Sequence, residues 1–168
     1  MRKFEIVKRI ENALDVRKPN RSTVNSAGYD FYAVEDVEIQ QVSYKAEYSP
    51  NLGTYIIKSI GVKPTLIRTG IKAKMGKDEF LMLANRSSNP KKGLFLANGV
   101  GIIDSDYYNN ENNDGEIMFA FLNFTAEPIT IKKGDKIGQG IFMKYLTTDD
   151  DLATGKRTGG FGSTDNQT

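Results

Sequence analysis

Apolar and polar residues alternate with a period of two through residues 67–75. Ile67, Thr69, Ile71, Ala73 and Met75 fall on one side, and Arg68, Gly70, Lys72 and Lys74 on the other. That period predicts a single half-buried β-strand with its charged positions in solvent. Short apolar runs at 80–84 and 93–97 predict two more strands. Residues 117–124 are apolar on both faces, which predicts a central strand. Ile129-Thr130-Ile131, the Gly-containing turn Lys132-Lys133-Gly134-Asp135-Lys136 and the run from Ile137 predict a hairpin. Val42, Tyr44, Ala46 and Tyr48 alternate with Ser43, Lys45 and Glu47, then come Ser49-Pro50-Asn51-Leu52-Gly53 and Thr54-Tyr55-Ile56-Ile57. This pattern predicts an extra hairpin, read as an insertion over residues 42–61. Residues 108–114 are polar and predict a second, loop-like insertion. Nothing in the chain carries a long 3.6-residue period. The expected class is all-β, a sandwich or jelly roll. One domain is expected over residues 1–154, followed by a Gly-rich arm over 155–168.

Composition narrows the chemistry. A chain of 168 residues, 39% hydrophobic and 26% charged, is long enough for one domain with a real core. No apolar run reaches membrane-span length, and residues 1–9 lack the apolar centre of a signal peptide. A cytoplasmic location is therefore expected. Cys and His are both absent. That excludes thiol nucleophiles, Ser-His triads and His-ligated zinc. The remaining inventory is carboxylates, Lys, Tyr, hydroxyls and a hard, oxygen-seeking cation such as Mg²⁺. Net charge is only +2, from 23 basic and 21 acidic residues, with no broad basic face. Neither nucleic acid nor membrane is an expected partner. The local cluster Lys91-Lys92, after Arg86-Ser87-Ser88, suits a single polyphosphate.

The densest candidate chemistry lies in residues 97–107. Asn98 can read a donor/acceptor edge, Asp104 can polarise a water, and Tyr107 can pack flat against a ring. Each also has a plainer reading, with Asp104 as a turn-capping residue and Tyr107 as a core aromatic. Arg86-Ser87-Ser88 ends an apolar strand and reads either as an anion clamp or as a surface ion pair beside turn-forming serines. The tail keeps Phe161 and two hydroxyls among its glycines, just after Lys156-Arg157, a composition suited to a lid over a ring and a polyphosphate. Asn110-x-Asn112-x-Asp114-Gly115 opens like a calcium loop, but its twelfth position is Phe121 where a Glu is required. No Walker loop and no dinucleotide Gly fingerprint is present.

Five segments, in order, resemble the motifs of the homotrimeric dUTPases. They are Ala27-Gly28-Tyr29-Asp30-Phe31-Tyr32-Ala33, Arg86-Ser87-Ser88, Asn98 through Tyr107, Gly134-Asp135-Lys136-Ile137-Gly138-Gln139 and Gly159-Gly160-Phe161-Gly162-Ser163-Thr164. The resemblance implies a jelly-roll-like (β-clip) subunit in a threefold trimer, with active sites shared between subunits. It implies hydrolysis of dUTP to dUMP and pyrophosphate with Mg²⁺ on the triphosphate. By motif, Asp104 would activate the water that attacks the α-phosphorus. Asn98 and the nearby backbone of Gly99, Val100 and Ile103 would read uracil. Tyr107 would pack under the deoxyribose. Arg86, Ser87, Ser88 and Gln139 would hold phosphates, and Asp30 would meet Mg²⁺ through its waters. Phe161 and Gly162 would close over the base, with Ser163 and Thr164 on the phosphates.

The chain departs from the pattern in places. Lys156 stands where the family has Arg, with Arg157 one residue nearer the Phe, so either cation could serve the phosphates. Gly115 is delayed by the polar insertion, and Asp165 replaces a frequent Gly. The related dCTP deaminases share the fold but use a Glu where this chain has Ala120, which argues against deamination. A further reading is a nucleotide-gated module whose two insertions dock a partner protein, motivated by the Tyr-rich hairpin.

Overall fold

The computed structural model describes residues 1–13, 15–155, 157 and 159. The expectations for Lys156, Phe161, Gly162, Ser163 and Thr164 lie outside the described residues. Among the described residues thirteen strands follow one another: β1 (Lys3–Ile6), β2 (Tyr29–Tyr32), β3 (Val37–Ile39), β4 (Ser43–Ser49), β5 (Thr54–Gly61), β6 (Thr65–Arg68), β7 (Ile71–Lys74), β8 (Glu79–Asn85), β9 (Leu94–Leu96), β10 (Gly101–Asp104), β11 (Met118–Asn123), β12 (Ile129–Ile131) and β13 (Lys136–Lys144). Three short 3-10 turns, at Lys8–Ile10, Pro90–Lys92 and Ser105–Tyr107, are the helical elements among the described residues. No helix among them is long and apolar enough to cross a membrane.

Two sheets form the layers around the core. One has the order β10-β8-β13-β2 and the other β6-β11-β9. Phe31, Leu81 and Leu83 from the first sheet pack into one cluster with Ile67, Phe119, Phe121, Leu94 and Leu96 from the second. β1 pairs with β7 and β12 with β3, as two-stranded additions. The architecture is the all-β, jelly-roll-like one that the strand pattern predicts.

β11 occupies the centre of its sheet, as expected, and its burial alternates residue by residue. The strand expected over residues 67–75 is two strands instead. Ile67, Thr69, Ile71, Ala73 and Met75 are all buried, so the alternation is right in burial. The chain nevertheless changes sheets at Gly70, whose φ of +68° only glycine adopts readily. A Cβ there would also meet Ile10 Cδ1 at 2.4 Å. Lys72, expected in solvent, is buried, and its ammonium donates to Asn109 Oδ1 at 2.6 Å and Asp114 Oδ1 at 2.8 Å. The polar segment 108–114 is thus anchored to the core through this amine. The hairpin expected across 129–137 is also corrected. Its turn forms, with Asp135 N donating to Lys132 O at 2.9 Å. Its two strands then part, β12 to β3 and β13 to β2 and β8.

The extra hairpin forms as its own two-stranded sheet, β4 with β5. Cross-strand pairs Tyr48–Tyr55, Ala46–Ile57 and Tyr44–Ile60 line up its apolar residues, and the Tyr and Ile members are exposed.

The two layers approach closely at Gly138 on β13. A Cβ there would lie 2.1 Å from Cε1 of the buried Phe119. Gly138→Ala is therefore expected to overpack the core, at a cost of about 1–3 kcal/mol. Calorimetry should register a fall in Tm of about 2–4 °C per kcal/mol. An unchanged Tm would contradict this contact.

Candidate active site

Among the described residues, Asp104, Tyr107 and Arg157 gather at one end of β8, and Arg86, Asp30 and Gln139 at the other. The first is built on β10 and the 3-10 turn after it. Asp104 closes β10 opposite Phe80, near the start of β8. Its carboxylate is 47% exposed, on a groove of about 830 Å³ also lined by Lys77, Phe80, Ile102, Asp106 and Tyr145. Arg157 reaches this groove. Its guanidinium pairs with the Asp104 carboxylate, donates from Nε to Asp106 Oδ1 at 2.8 Å, and stands 5.8 Å from the centre of the Tyr107 ring. Of the two candidate tail cations, Arg157 is thus engaged by Asp104, and Lys156 is outside the described residues.

Tyr107 is buried at the end of its 3-10 turn. Its hydroxyl donates to Glu116 O at 3.2 Å and accepts from Asn113 Nδ2 at 2.6 Å. Burial pushes the phenol pKa up, against the opposing hydrogen bond from Asn113.

The second group gathers where β8, β13 and β2 end together. Arg86 follows β8 and donates from Nη1 to Lys136 O at 3.3 Å, while its Nε lies 3.6 Å from Asp30 Oδ1. Asp30 Oδ2 accepts from Lys136 Nζ at 2.6 Å and Ser22 Oγ at 2.8 Å. Burial pushes the Asp30 carboxyl up, but the bonds from Lys136 and Ser22 and the nearby cations outweigh it and hold the pKa below the usual range. Gln139 faces Ala84 across the ladder and donates to Asn85 O at 3.1 Å. Ser87 is exposed and Ser88 half-buried on the loop that follows. A cavity of about 320 Å³ opens here, lined by Arg86, Asn89, Lys92 and Lys136 among others, and its cations suit phosphate oxygens.

Asn89 was not singled out by the sequence. It is buried, and its amide donates to Asn85 Oδ1 at 2.7 Å and Ile137 O at 2.8 Å, stapling the Arg86 loop to β13. The Asn-Pro pair that opens the 3-10 turn was the available signal.

Asn98, Gly99 and Val100 are exposed at the corner between β9 and β10. β9 pairs with β11 and β10 with β8, so this corner joins the two layers. Ile103 turns inward and packs on the core. Beside Asn98 lies a cavity of about 210 Å³ lined by Leu83, Leu96, Gly101, Met118, Phe119 and Ala120.

From Phe80, opposite Asp104, to Arg86 is six residues of extended chain, or roughly 20 Å at about 3.3 Å per residue. One chain therefore does not bring Asp104 and the Arg86–Lys136 cluster into a single compact site.

The described residues hold no group of three or more carboxylates that would cage a metal. Asp30, with the Ser22 hydroxyl, offers a single carboxylate beside the cationic cavity. That set fits Mg²⁺ brought by a triphosphate, because Mg²⁺ keeps several waters and takes few protein ligands.

The fold is a two-layer all-β one that carries a groove carboxylate and, apart from it, a cationic cavity whose charge suits phosphate oxygens. The dUTPase family profile matches residues 51–165. The chain is 44% identical over 167 residues to the deoxyuridine 5'-triphosphate nucleotidohydrolase of Lactococcus lactis, covering 98% of this chain and 97% of that one. It is similar in structure to the dUTPase of Streptococcus mutans, with a TM-score of 0.71 and 36% identity over 87% of this chain and 98% of the other. The dUTPase of phage phi11 of S. aureus, described for the coordination of a structural Mg(II) ion, shares the fold at a TM-score of 0.64 and 15% identity, with 91% and 96% of the chains covered. The chain belongs to the dUTPase family.

Proposed function

We propose that this chain hydrolyses dUTP to dUMP and pyrophosphate, with Asp104 as the general base. The observation that carries the reading is the half-exposed Asp104 carboxylate on an open groove, already engaged by a cation of the C-terminal arm. A water held by Asp104 attacks the α-phosphorus in line. Asp104 accepts the water's proton, the bond from the α-phosphorus to the bridging oxygen breaks, and pyrophosphate leaves. Such phosphoryl chemistry needs placement and charge neutralisation more than a strong nucleophile, so the absence of His and Cys is no obstacle.

Asn98 and the backbone of Gly99, Val100 and Ile103 read the uracil edge. Tyr107 packs beneath the deoxyribose. Arg86, Ser87, Ser88 and Gln139 hold phosphate oxygens. Asp30 would hold Mg²⁺ through water, and the ion would supply charge neutralisation on the triphosphate. The arm over residues 155–168 closes the site, with Phe161 and Gly162 over the base and Ser163, Thr164 and Arg157 or Lys156 on the phosphates. The separation between Asp104 and Arg86 supports a site shared between chains, as in a threefold trimer.

Product analysis with Mg²⁺ tests this, with dUTP, dCTP, dTTP and UTP offered separately. dUMP and pyrophosphate should come from dUTP alone. Ammonia from dCTP, or no turnover of any nucleotide by folded protein, would overturn the reading.

A protein partner at the insertions is a second element of the proposal, favoured by the one-sided apolar face of β4 and β5. A two-stranded sheet is marginal alone in water, and an exposed apolar face favours a covering chain. Removing residues 42–61 should leave dUTP turnover intact and abolish any such association. Unchanged association would count against it.

A further inference from the structure

The polar loop after Tyr107 is bound too tightly to be a solvent-filled insertion. Lys72 holds it through Asn109 and Asp114, and Asp114 Oδ2 also accepts from Lys8 N at 2.8 Å. Two of its non-glycine residues take left-handed backbone, Asn109 at φ +60° and Asp114 at φ +59°. Asn and Asp tolerate that conformation at some cost, and such strain concentrates at functional sites. Gly115, at φ +76°, lets the loop pass directly behind Tyr107. A Cβ there would lie 2.4 Å from the Tyr107 carbonyl oxygen and 3.0 Å from Asn109 N.

The loop delivers one amide to the phenol. Asn113 Oδ1 accepts from Gly115 N at 3.1 Å, which fixes the amide's orientation and turns Nδ2 toward the Tyr107 hydroxyl at 2.6 Å. The hydroxyl spends its own proton on Glu116 O. Glu116 is itself held by Arg9, by Arg68 and by Gly70 N. The phenol is thus clamped from two sides, three residues from Asp104.

We infer that Asn113 is a positioning residue for substrate selection: by donating to the Tyr107 hydroxyl it fixes the ring against which the sugar packs, and so sharpens preference for a deoxyribonucleoside triphosphate over its ribose counterpart. This rests on the proposed place of Tyr107 beneath the deoxyribose. With the donor gone, the phenol keeps its bond to Glu116 O but loses the one from Asn113. The ring then yields to a 2′-hydroxyl that the clamped ring repels.

Asn113→Asp is the informative variant. It keeps the shape and the acceptor for Gly115 N, and replaces the donor with a second acceptor that one phenolic proton cannot serve together with Glu116 O. Steady-state kinetics on the intact assembly should show the dUTP-to-UTP ratio of kcat/KM falling about five- to tenfold, the scale of one net hydrogen bond. Asn113→Ala should lower the ratio similarly in the parent protein and have no added effect on it in a Tyr107→Phe background. A loss of fold stability alone would not move this ratio. A ratio unmoved by both Asn113 variants, or a further fall of equal size in the Tyr107→Phe background, would overturn the inference. Should the parent protein show no preference for dUTP, the failure would belong to the functional reading; a clear preference left intact in Asn113→Asp would sink this inference alone.

Discussion

Asp104→Asn loses most dUTP turnover, by about 10²–10⁴-fold, while the nucleotide still binds. The amide keeps the size of the carboxylate and can still hold a water through its oxygen. It cannot take the water's proton as the bond to phosphorus forms. The substitution also weakens the pairing with Arg157, but Asp104 is half exposed, and pairs of that kind contribute only about 0–1 kcal/mol. The fold is therefore expected to survive, and the variant separates chemistry from binding. Isothermal titration with a non-hydrolysable dUTP analogue and a turnover assay on the same preparation make the comparison. Near-normal turnover would mean that the base is wrongly assigned.

Removing residues 155–168 costs turnover on the order of 10²-fold, the scale expected when a closing segment no longer positions reacting groups. Folding should be almost untouched. The described residues 147–155 are exposed, and Arg157 meets the domain at groove side chains rather than in the core. Tm should stay within a few degrees, and the assembly should keep its size in sedimentation. Loss of the assembly would show the arm to be structural, and full turnover would show that it does not close the site.

Local features of the fold were legible where the deciding partner is close in sequence. The β4–β5 hairpin is one case, since Ser49 through Gly53 turn the chain back on residues that pair at once. Alternation over 67–75 reported burial correctly but could not report the switch of sheet at Gly70. That switch is decided by Ile10 beside Gly70 and by Thr69 Oγ1 donating to Ile117 O at 2.6 Å, contacts remote in sequence. Lys72 was misjudged for the same reason, because an alternation pattern cannot see acceptors 37 and 42 residues away. At the site, Asn98, Asp104 and Tyr107 stood out because one short segment carries them all. Asn113 and Asn89 did not, because an amide shows its function only through partners that fix which end donates.

The length of β8 has a genetic consequence. A chain carrying Asp104→Asn and a chain carrying Arg86→Ala are each defective at a different end of the same strand. If active sites are composed across subunits, co-expressing the two alleles yields mixed assemblies in which some sites draw an intact aspartate from one chain and an intact arginine from the other. Two dead alleles then complement each other in one cell, and the recovered fraction follows the combinatorics of subunit mixing.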